Sequence, residues 1–366
     1  MNKLPDGWQE KKLDDLFKEV SERNHADKII LASTQDRGVI PSELLDRHII
    51  RKKESLSNYK LVKKGCFVIS LRSFQGGFEY SDYEGIISPA YTILEPKIEL
   101  VNDFYKYYFK SYYFINKSLP KYAEGIRDGK QIKYKACKEI LVPCPPLDEQ
   151  KRIASTLSKI DAYLENTIKL IEEKERFKKG IVKKLFNKEI RFKEFNDEWE
   201  TVRLGDMFYN FIERNNEDKI ILASTRDKGV IPHNLTERKI IRKKESLSNY
   251  KLVNKGCFVI SLMSFQGGFE YSDYEGIISP AYTVLKPKIE MVHYFYKYYF
   301  KSYKFIKDLR PYAEGIRHGK QIKFNACKYI LVPYPSIKEQ EDIGKFLSLL
   351  DAEIDNLKEQ KEEIKK

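Results

Sequence analysis

The chain has 366 residues, with 67 Lys plus Arg against 54 Asp plus Glu and a formal net charge of +13. That length supports two or more domains, each with its own core, and the positive excess suits a polyanionic partner. No run of 18 apolar residues occurs, and the start MNKLPDGWQEKKL lacks the apolar stretch of a secretory signal, so no membrane association is expected and a cytoplasmic protein is. Cys66, Cys137, Cys144, Cys257 and Cys327 form no CxxC pair and sit in apolar contexts such as GCFVIS, which predicts buried free thiols rather than disulfides or zinc.

In chain order, a Trp-led segment comes first, Trp8 to Phe17, expected as a strand running into a short helix. Short β patterns follow at Ile29–Ser33, Tyr59–Val62, Cys66–Leu71 and Tyr91–Leu94, bounded by turn sequences such as LVKKG and SFQGG. NDFYKYYFKSYYFIN (102–116) has rings at helical spacing after an Asn-Asp start and predicts one helix. ILVPCPPLDEQ then stops a strand, and Asp148 is placed to cap the helix that follows.

The chain then repeats itself. Residues 219–286 match residues 28–95 at an offset of 191, with 11 of 68 positions changed, and a second Trp-led segment runs from Trp199 to Phe208. The offset becomes 190 after residue 116, which predicts a loop near 117–120. Each copy ends in a long heptad-like helix. Ile153, Leu157, Ile160, Leu164 and Ile171 recur by fours and threes in the first; Ile343, Leu347, Leu350, Ile354 and Leu357 do so in the second. The expected architecture is therefore two pseudo-symmetric mixed α/β heads separated by a long antiparallel coiled coil. The expected boundaries are head one at 1–148, spacer helix one at 149–190, head two at 191–337 and spacer helix two at 338–366. A helix from 149 to 188 would be roughly 60 Å long at 1.5 Å per residue. Two matched heads on such a ruler suit an inverted repeat in duplex DNA.

The words SPAYTIL (88–94), GKQIK (129–133) and ILVPCPPLDEQKRIASTL (140–157), with this layout, resemble the specificity subunit of type I restriction–modification systems. The strongest pieces are Pro145, Pro146, Glu149 and Gln150 before the first long helix, and SPAY at 88–91 and 279–282. The second copy departs at Pro335-Ser336 but keeps Glu339 and Gln340. The resemblance implies two target-recognition domains, each reading half of a split site in double-stranded DNA. It also implies helices that dock two modification (methyltransferase) subunits, which carry S-adenosylmethionine and methylate adenine, with restriction (endonuclease/translocase) subunits completing the nuclease. No cofactor is expected in this chain. The family's two recognition domains typically differ. Here they are near-copies, which implies a nearly palindromic site. The first helix continues through GIVKKLFNKEIRF, a stretch without a counterpart after the second, so the expectation for docking at that end is weaker.

Catalytic signatures are missing. GxxxxGK[ST] and the Asp/Asn-Pro-Pro-Tyr/Phe sequence of adenine methyltransferases do not occur, and none of the five His is shared between copies, so solvated surface roles are expected for them. Candidate DNA contacts lie in three repeated polar loops. ASTQDRG offers Ser33, Thr34, Gln35 and Arg37, with Ser224, Thr225, Arg226 and Lys228 in the second copy. LxSFQGG offers Arg72, Ser73 and Gln75, with Ser264 and Gln266; Met263 replaces the arginine. GIRxGKQIK offers Arg127, Lys130 and Gln131, with Arg317, Lys320 and Gln321. Gln can bridge the adenine edge and Arg the guanine edge. The competing class is a stand-alone pseudo-dimeric DNA-binding protein, a regulator or antirestriction factor; a self-contained enzyme is the weakest. Assigning the third loop to the phosphate backbone predicts that Lys130→Ala and Lys320→Ala each weaken binding to all sequences equally. Each would reduce the slope of log K against log salt by about 0.9. Salt titrations on matched and scrambled duplexes check this.

Overall fold

The computed structural model describes residues 4–45, 53–70, 73–123, 132–236, 244–262, 264–314 and 321–365. They form two compact units, Met1–Tyr163 and Leu164–Lys366. The first head opens with strand β1 (Gln9–Lys12), one helical turn α1 (Leu13–Leu16) and β2 (Phe17–Val20), as the Trp-led segment predicts. Next come β3 (Leu31–Thr34), β4 (Gly38–Pro41), β5 (Lys60–Val62), β6 (Phe67–Ile69), the turn α2 (Ser73–Gly76), β7 (Glu79–Tyr80), β8 (Gly85–Ile87) and β9 (Thr92–Pro96). Helix α3 (Asn102–Tyr108), the turn α4 (Tyr134–Cys137) and β10 (Leu141–Cys144) lead to the long helix α5 (Leu147–Phe186). The second head repeats this order from Glu200–Arg203 to Leu331–Tyr334, and the second long helix is Ile337–Ile364.

The central sheet has the order β2-β9-β6-β7, all antiparallel. Alternation along a strand sends successive side chains to opposite faces. Phe67 and Ile69 join Phe17, Leu94, Tyr105 and Phe109 on one face; Val68 joins Leu31, Val62, Ile87 and Ile93 on the other. The first face is a ring cluster with edge-on contacts, such as Phe67–Phe109 at 5.1 Å and 88° and its copy Phe258–Phe300 at 5.1 Å and 89°. β1 pairs with β10, Gln9 opposite Cys144 and Lys12 opposite Leu141, so the start of the head is clipped to the strand that leads into α5. All five cysteines are free thiols; four are buried and Cys144 is half-buried.

Two local expectations change. The single helix at 102–116 is broken. In the first head it ends at Tyr108, and in the second the matching segment is the Tyr-rich helix His293–Tyr299 followed by Tyr303–Leu309, the latter capped by the Ser302 hydroxyl, which accepts from the Phe305 N–H. The break falls where Gly77, at φ +74°, comes against the Phe109 carbonyl; a Cβ there would lie 1.9 Å from that oxygen. The loop expected at 117–120 is also absent. The extra residue of the first copy is taken up by a π-helical turn, Phe114–Ser118, where the second copy has an α-helix. One inserted residue in a helix is commonly absorbed this way.

Ser336 caps the second long helix by accepting from the Glu339 N–H, whereas Asp148 lies within the first turn of α5 rather than before it. Within the second unit, residues 164–186 of α5 run antiparallel to the second helix. Lys178 pairs with Asp351, Lys174 with Glu353 at 2.7 Å and Glu175 with Lys358 at 2.6 Å. Ile171 and Ile354 are buried and Leu164 and Leu357 half-buried along these helices. Ile343 and Leu347 enter the second head's core, beside Leu185 and Phe186 from the end of α5, and Leu350 packs against it. Ile153, Leu157 and Ile160 belong to the first unit. Ile153 packs on its own head's core, Leu157 is half-buried and Ile160 is 44% exposed.

Gly77→Ala should lower the stability of the first unit by at least about 2 kcal/mol, from the left-handed backbone and the overlap with Phe109 combined. Gly268→Ala, whose Cβ would meet Phe300, should do the same to the second. Urea unfolding followed by limited proteolysis assigns the loss to each unit.

Candidate nucleic-acid interface

The β3–β4 hairpin and the α2 turn lie side by side. Gln35, at the hairpin tip, packs its aliphatic part against Gly76, where an added Cβ would come within 2.9 Å of the Gln35 Cγ. Lys110, from the segment after α3, fastens the two loops. Its ammonium donates to the Gln35 carbonyl at 3.1 Å, the Gly76 carbonyl at 2.8 Å and the Glu79 carboxylate at 2.6 Å. The second head keeps two of these three contacts: Lys301 donates to the Arg226 carbonyl at 3.1 Å and pairs with Glu270. Burial pushes the Glu79 and Glu270 carboxyls up to about 7, with the lysines opposing it. Sequence reasoning missed both pairs. Their one signal is a charged residue inside an aromatic run in both copies, YYFKSYY/YYFKSYK and GGFEYS.

The clamp decides what the loops present. Gln35, Arg37 and Gln75 are exposed, as are Arg226, Lys228, Gln266 and Gln321. Arg37 also donates to the Leu44 carbonyl at 3.2 Å. The hydroxyls turn inward, which revises the sequence reading that offered them as contacts. Thr34 donates to the Gly38 carbonyl and accepts from the Arg37 N–H, closing the hairpin, and Thr225 does likewise with Gly229 and Lys228. Ser73 and Ser264 are buried and accept from the Ser70 and Ser261 N–H groups at 2.8 Å. The Ser33 and Ser224 hydroxyls are buried too. The space beside Gly76 and Gly77 is filled by Gln35 and Phe109 of the chain itself.

Arg72, Arg127, Lys130, Gln131, Arg317 and Lys320 lie outside the described residues, as does Met263. In the second head the neighbouring described positions form a cleft of about 310 Å³. Ser261 and Leu262 line it from one loop, Gln321, Ile322 and Lys323 from another, with Asn210 and Thr283. The SPAY words are structural in part: Lys60 and Lys251 donate to the carbonyls of Tyr91 and Tyr282 at 2.7 and 2.6 Å. The histidines are not all solvated. His293 is half-buried beside Gly256 and its pKa is lowered by burial, while His25 sits at the surface against Glu22; His48 and His318 lie outside the described residues. Among the described residues no group of three or more His, Cys, Asp or Glu side chains could hold a metal, and no helix is long and apolar enough to cross a membrane.

Two near-identical mixed α/β heads, each followed by a long helix and each carrying clamped polar loops, define a duplicated recognition protein rather than an enzyme with a single catalytic centre. The model of the type I restriction modification DNA specificity domain matches residues 5–173 and again 196–366, and the chain belongs to that family. It is the DNA specificity component of a type I restriction–modification enzyme and not its catalytic part. The candidate specificity subunit of the MjaX type I restriction enzyme of Methanocaldococcus jannaschii is 25% identical over all of this chain and 92% of its own length. Among solved structures, the type I S subunit from M. genitalium superposes with a TM-score of 0.57 at 19% identity, covering 99% of this chain and 95% of that one. The HsdS subunit from Thermoanaerobacter tengcongensis does so at 0.52 and 16%, with the same coverage. These likenesses show the fold.

Lys110→Met leaves Glu79 buried without its cation, at a cost of about 3 kcal/mol at pH 8. Without the lysine, the carboxyl titrates at a still higher pKa. A raised folded-state pKa contributes stability that is present at low pH and lost as pH rises, so the deficit should shrink between pH 8 and pH 5. Denaturant midpoints at the two pH values check this.

Proposed function

We propose that each head reads one half of a split duplex DNA site and that the two halves are inverted copies or nearly so. The observation that carries this reading is the clamp. In both heads one lysine holds the first loop's tip by its backbone carbonyl and pairs with a buried glutamate, and Gln75 or Gln266 is exposed on the turn packed beside that tip. A glutamine amide can pair with the N6 and N7 edge of adenine, so equivalent glutamines suit equivalent bases on opposite strands. The shared positions suffice for a common reading. Arg72 then holds backbone rather than a base, and its replacement by Met263 leaves the two halves alike at this loop.

The same reading takes the heads as 1–148 and 191–337 and the spacer helices as 149–190 and 338–366. It has the helices dock two modification subunits, which bring S-adenosylmethionine, and places restriction subunits in the full complex, in the cytoplasm. The relative's description as part of a restriction enzyme supports this assembly.

The methylated motif of cells carrying this chain with its modification subunits should be two inverted half-sites around an unread spacer. Gln75→Ala and Gln266→Ala should each relax one half-site, by about 1–3 kcal/mol of discrimination at one base pair. Methylation mapping of each variant decides between this and a site whose halves are unrelated by inversion, which would defeat the proposal.

A further inference from the structure

The second head carries a segment of α5 on one face, and its grip is specific. Lys178 pairs with Asp351 and lies 5.2 Å over the Tyr298 ring. Phe186 packs 5.4 Å from both Phe295 and Tyr299. After Phe186 the chain turns back through Lys188 at φ +61°. Arg191 then makes a two-pronged contact with Glu339, at 3.0 and 2.7 Å, and Glu339 also accepts from the Trp199 indole at 2.9 Å. The grip thus has three points: a lysine, an aromatic ring and an arginine returned after a helix end.

The first head has every receptor residue of that grip. By the internal repeat, Trp8, Phe104, Tyr107, Tyr108, Glu149 and Asp161 stand where Trp199, Phe295, Tyr298, Tyr299, Glu339 and Asp351 stand in the second. Tyr107 donates to Asp161 at 2.8 Å, as Tyr298 does to Asp351 at 2.7 Å. The ligand side differs. The Trp8 indole nitrogen is buried with no hydrogen-bond partner, and Glu149 has no ion-pair partner among the described residues. Ile153 and Leu157 are only half-buried where Ile343 and Leu347 are buried. An indole N–H buried without an acceptor is unusual enough to need a reason. A carboxylate swung in by an arginine supplies one in the second head.

We propose that this face of the first head is a docking site for a helix end of a partner protein. The partner chemistry is the imprint left on the second head: a basic, amphipathic helix that closes in a left-handed turn and returns an arginine. The arginine would bridge Glu149 and bring its carboxylate to the Trp8 indole, an aromatic ring would fill the slot between Phe104 and Tyr108, and a lysine would meet Asp161. The acidic pair Glu149 and Asp161 complements such a segment in charge, and two-pronged arginine–carboxylate contacts are directional enough to fix its register. The inference stands apart from the reading of DNA bases and needs no DNA.

The probe is a synthetic peptide of residues 174–193, KERFKKGIVKKLFNKEIRFK, titrated into the full-length protein by calorimetry and by Trp fluorescence. One peptide should bind per chain in the micromolar range, with a change in Trp emission. Glu149→Gln should weaken it by at least about tenfold, the factor carried by one charge-assisted bond. A peptide with Phe186→Ala and Arg191→Ala should fail to bind. Glu149 makes no side-chain hydrogen bond or ion pair among the described residues, so its variant should keep the wild-type circular dichroism and melting curve. No binding at millimolar peptide, equal binding of a scrambled peptide, or full affinity in Glu149→Gln would each overturn the proposal. A concentration-dependent dimer that the peptide dissociates would give the face to a second copy of the chain and overturn the assignment to a separate partner.

Discussion

One buried side chain joins each head to its long helix. Gln150 is 1% exposed, and its amide is used at both ends: it accepts from the Val101 N–H at 3.0 Å and donates to the Pro145 carbonyl at 2.8 Å. Gln340 does the same with Val292 and Pro335, at 2.9 and 2.8 Å. A primary amide is buried at little cost only when donor and acceptor are both satisfied. The arrangement therefore fixes three things at once: the start of α3, the proline turn and the first turn of the long helix. The tyrosine hydroxyls of Tyr105 and Tyr296 add a second tie, donating to Pro143 and Pro333. The direction in which each helix leaves its head follows from these few bonds. The proline-rich run before the helix, with its Glu-Gln, thus has a physical reason beyond resemblance.

Local patterns in the sequence foretold what local forces determine. The Trp-led strand and turn, the short Val/Ile/Phe strands and the two long helices all form close to the expected residues, because alternation and heptad spacing report which face of an element is apolar. Patterns do not report what covers that face. Ile343 and Leu347 fit a helix-pairing seam by spacing, yet their partners include Leu185 and Phe186 in the second head's core. Serines in LxSFQGG look like solvent-facing polar residues, yet Ser73 and Ser264 satisfy backbone N–H groups of their own turns. The clamp lysines were illegible for a related reason. A lysine within YYFKSYY reads as one polar position on a helix, and only the fold brings two distant carbonyls and Glu79 to its ammonium.

The two heads share a frame so fully that their differences become informative. The inserted residue near 116 is absorbed in a π-helical turn without disturbing the ring cluster on either side, since Phe109 and Phe114 keep the contacts that Phe300 and Phe305 make. Divergence in the core is confined to exchanges of similar side chains, such as Leu16 against Met207, Ile93 against Val284 and Tyr134 against Phe324. Exchanges that alter hydrogen-bonding groups occur at exposed positions of the first loop, at Gln35 against Arg226 and Arg37 against Lys228.

The clamp explains why the first loop can vary. Lys110 and Lys301 hold residues 35 and 226 by their backbone carbonyls, not by their side chains. The loop's position is therefore independent of which side chain stands at its tip. A glutamine and an arginine sit there on the same frame, and the neighbouring glycine tolerates both, with Gln35 against Gly76 and Arg226 against Gly267. Under the proposed reading, such a site separates the part that places the loop from the part that contacts a base. Gln and Arg favour different base edges. Exchange at this one exposed position can then change a half-site without refolding a head, while Gln75 and Gln266, alike in both copies, carry what the halves have in common.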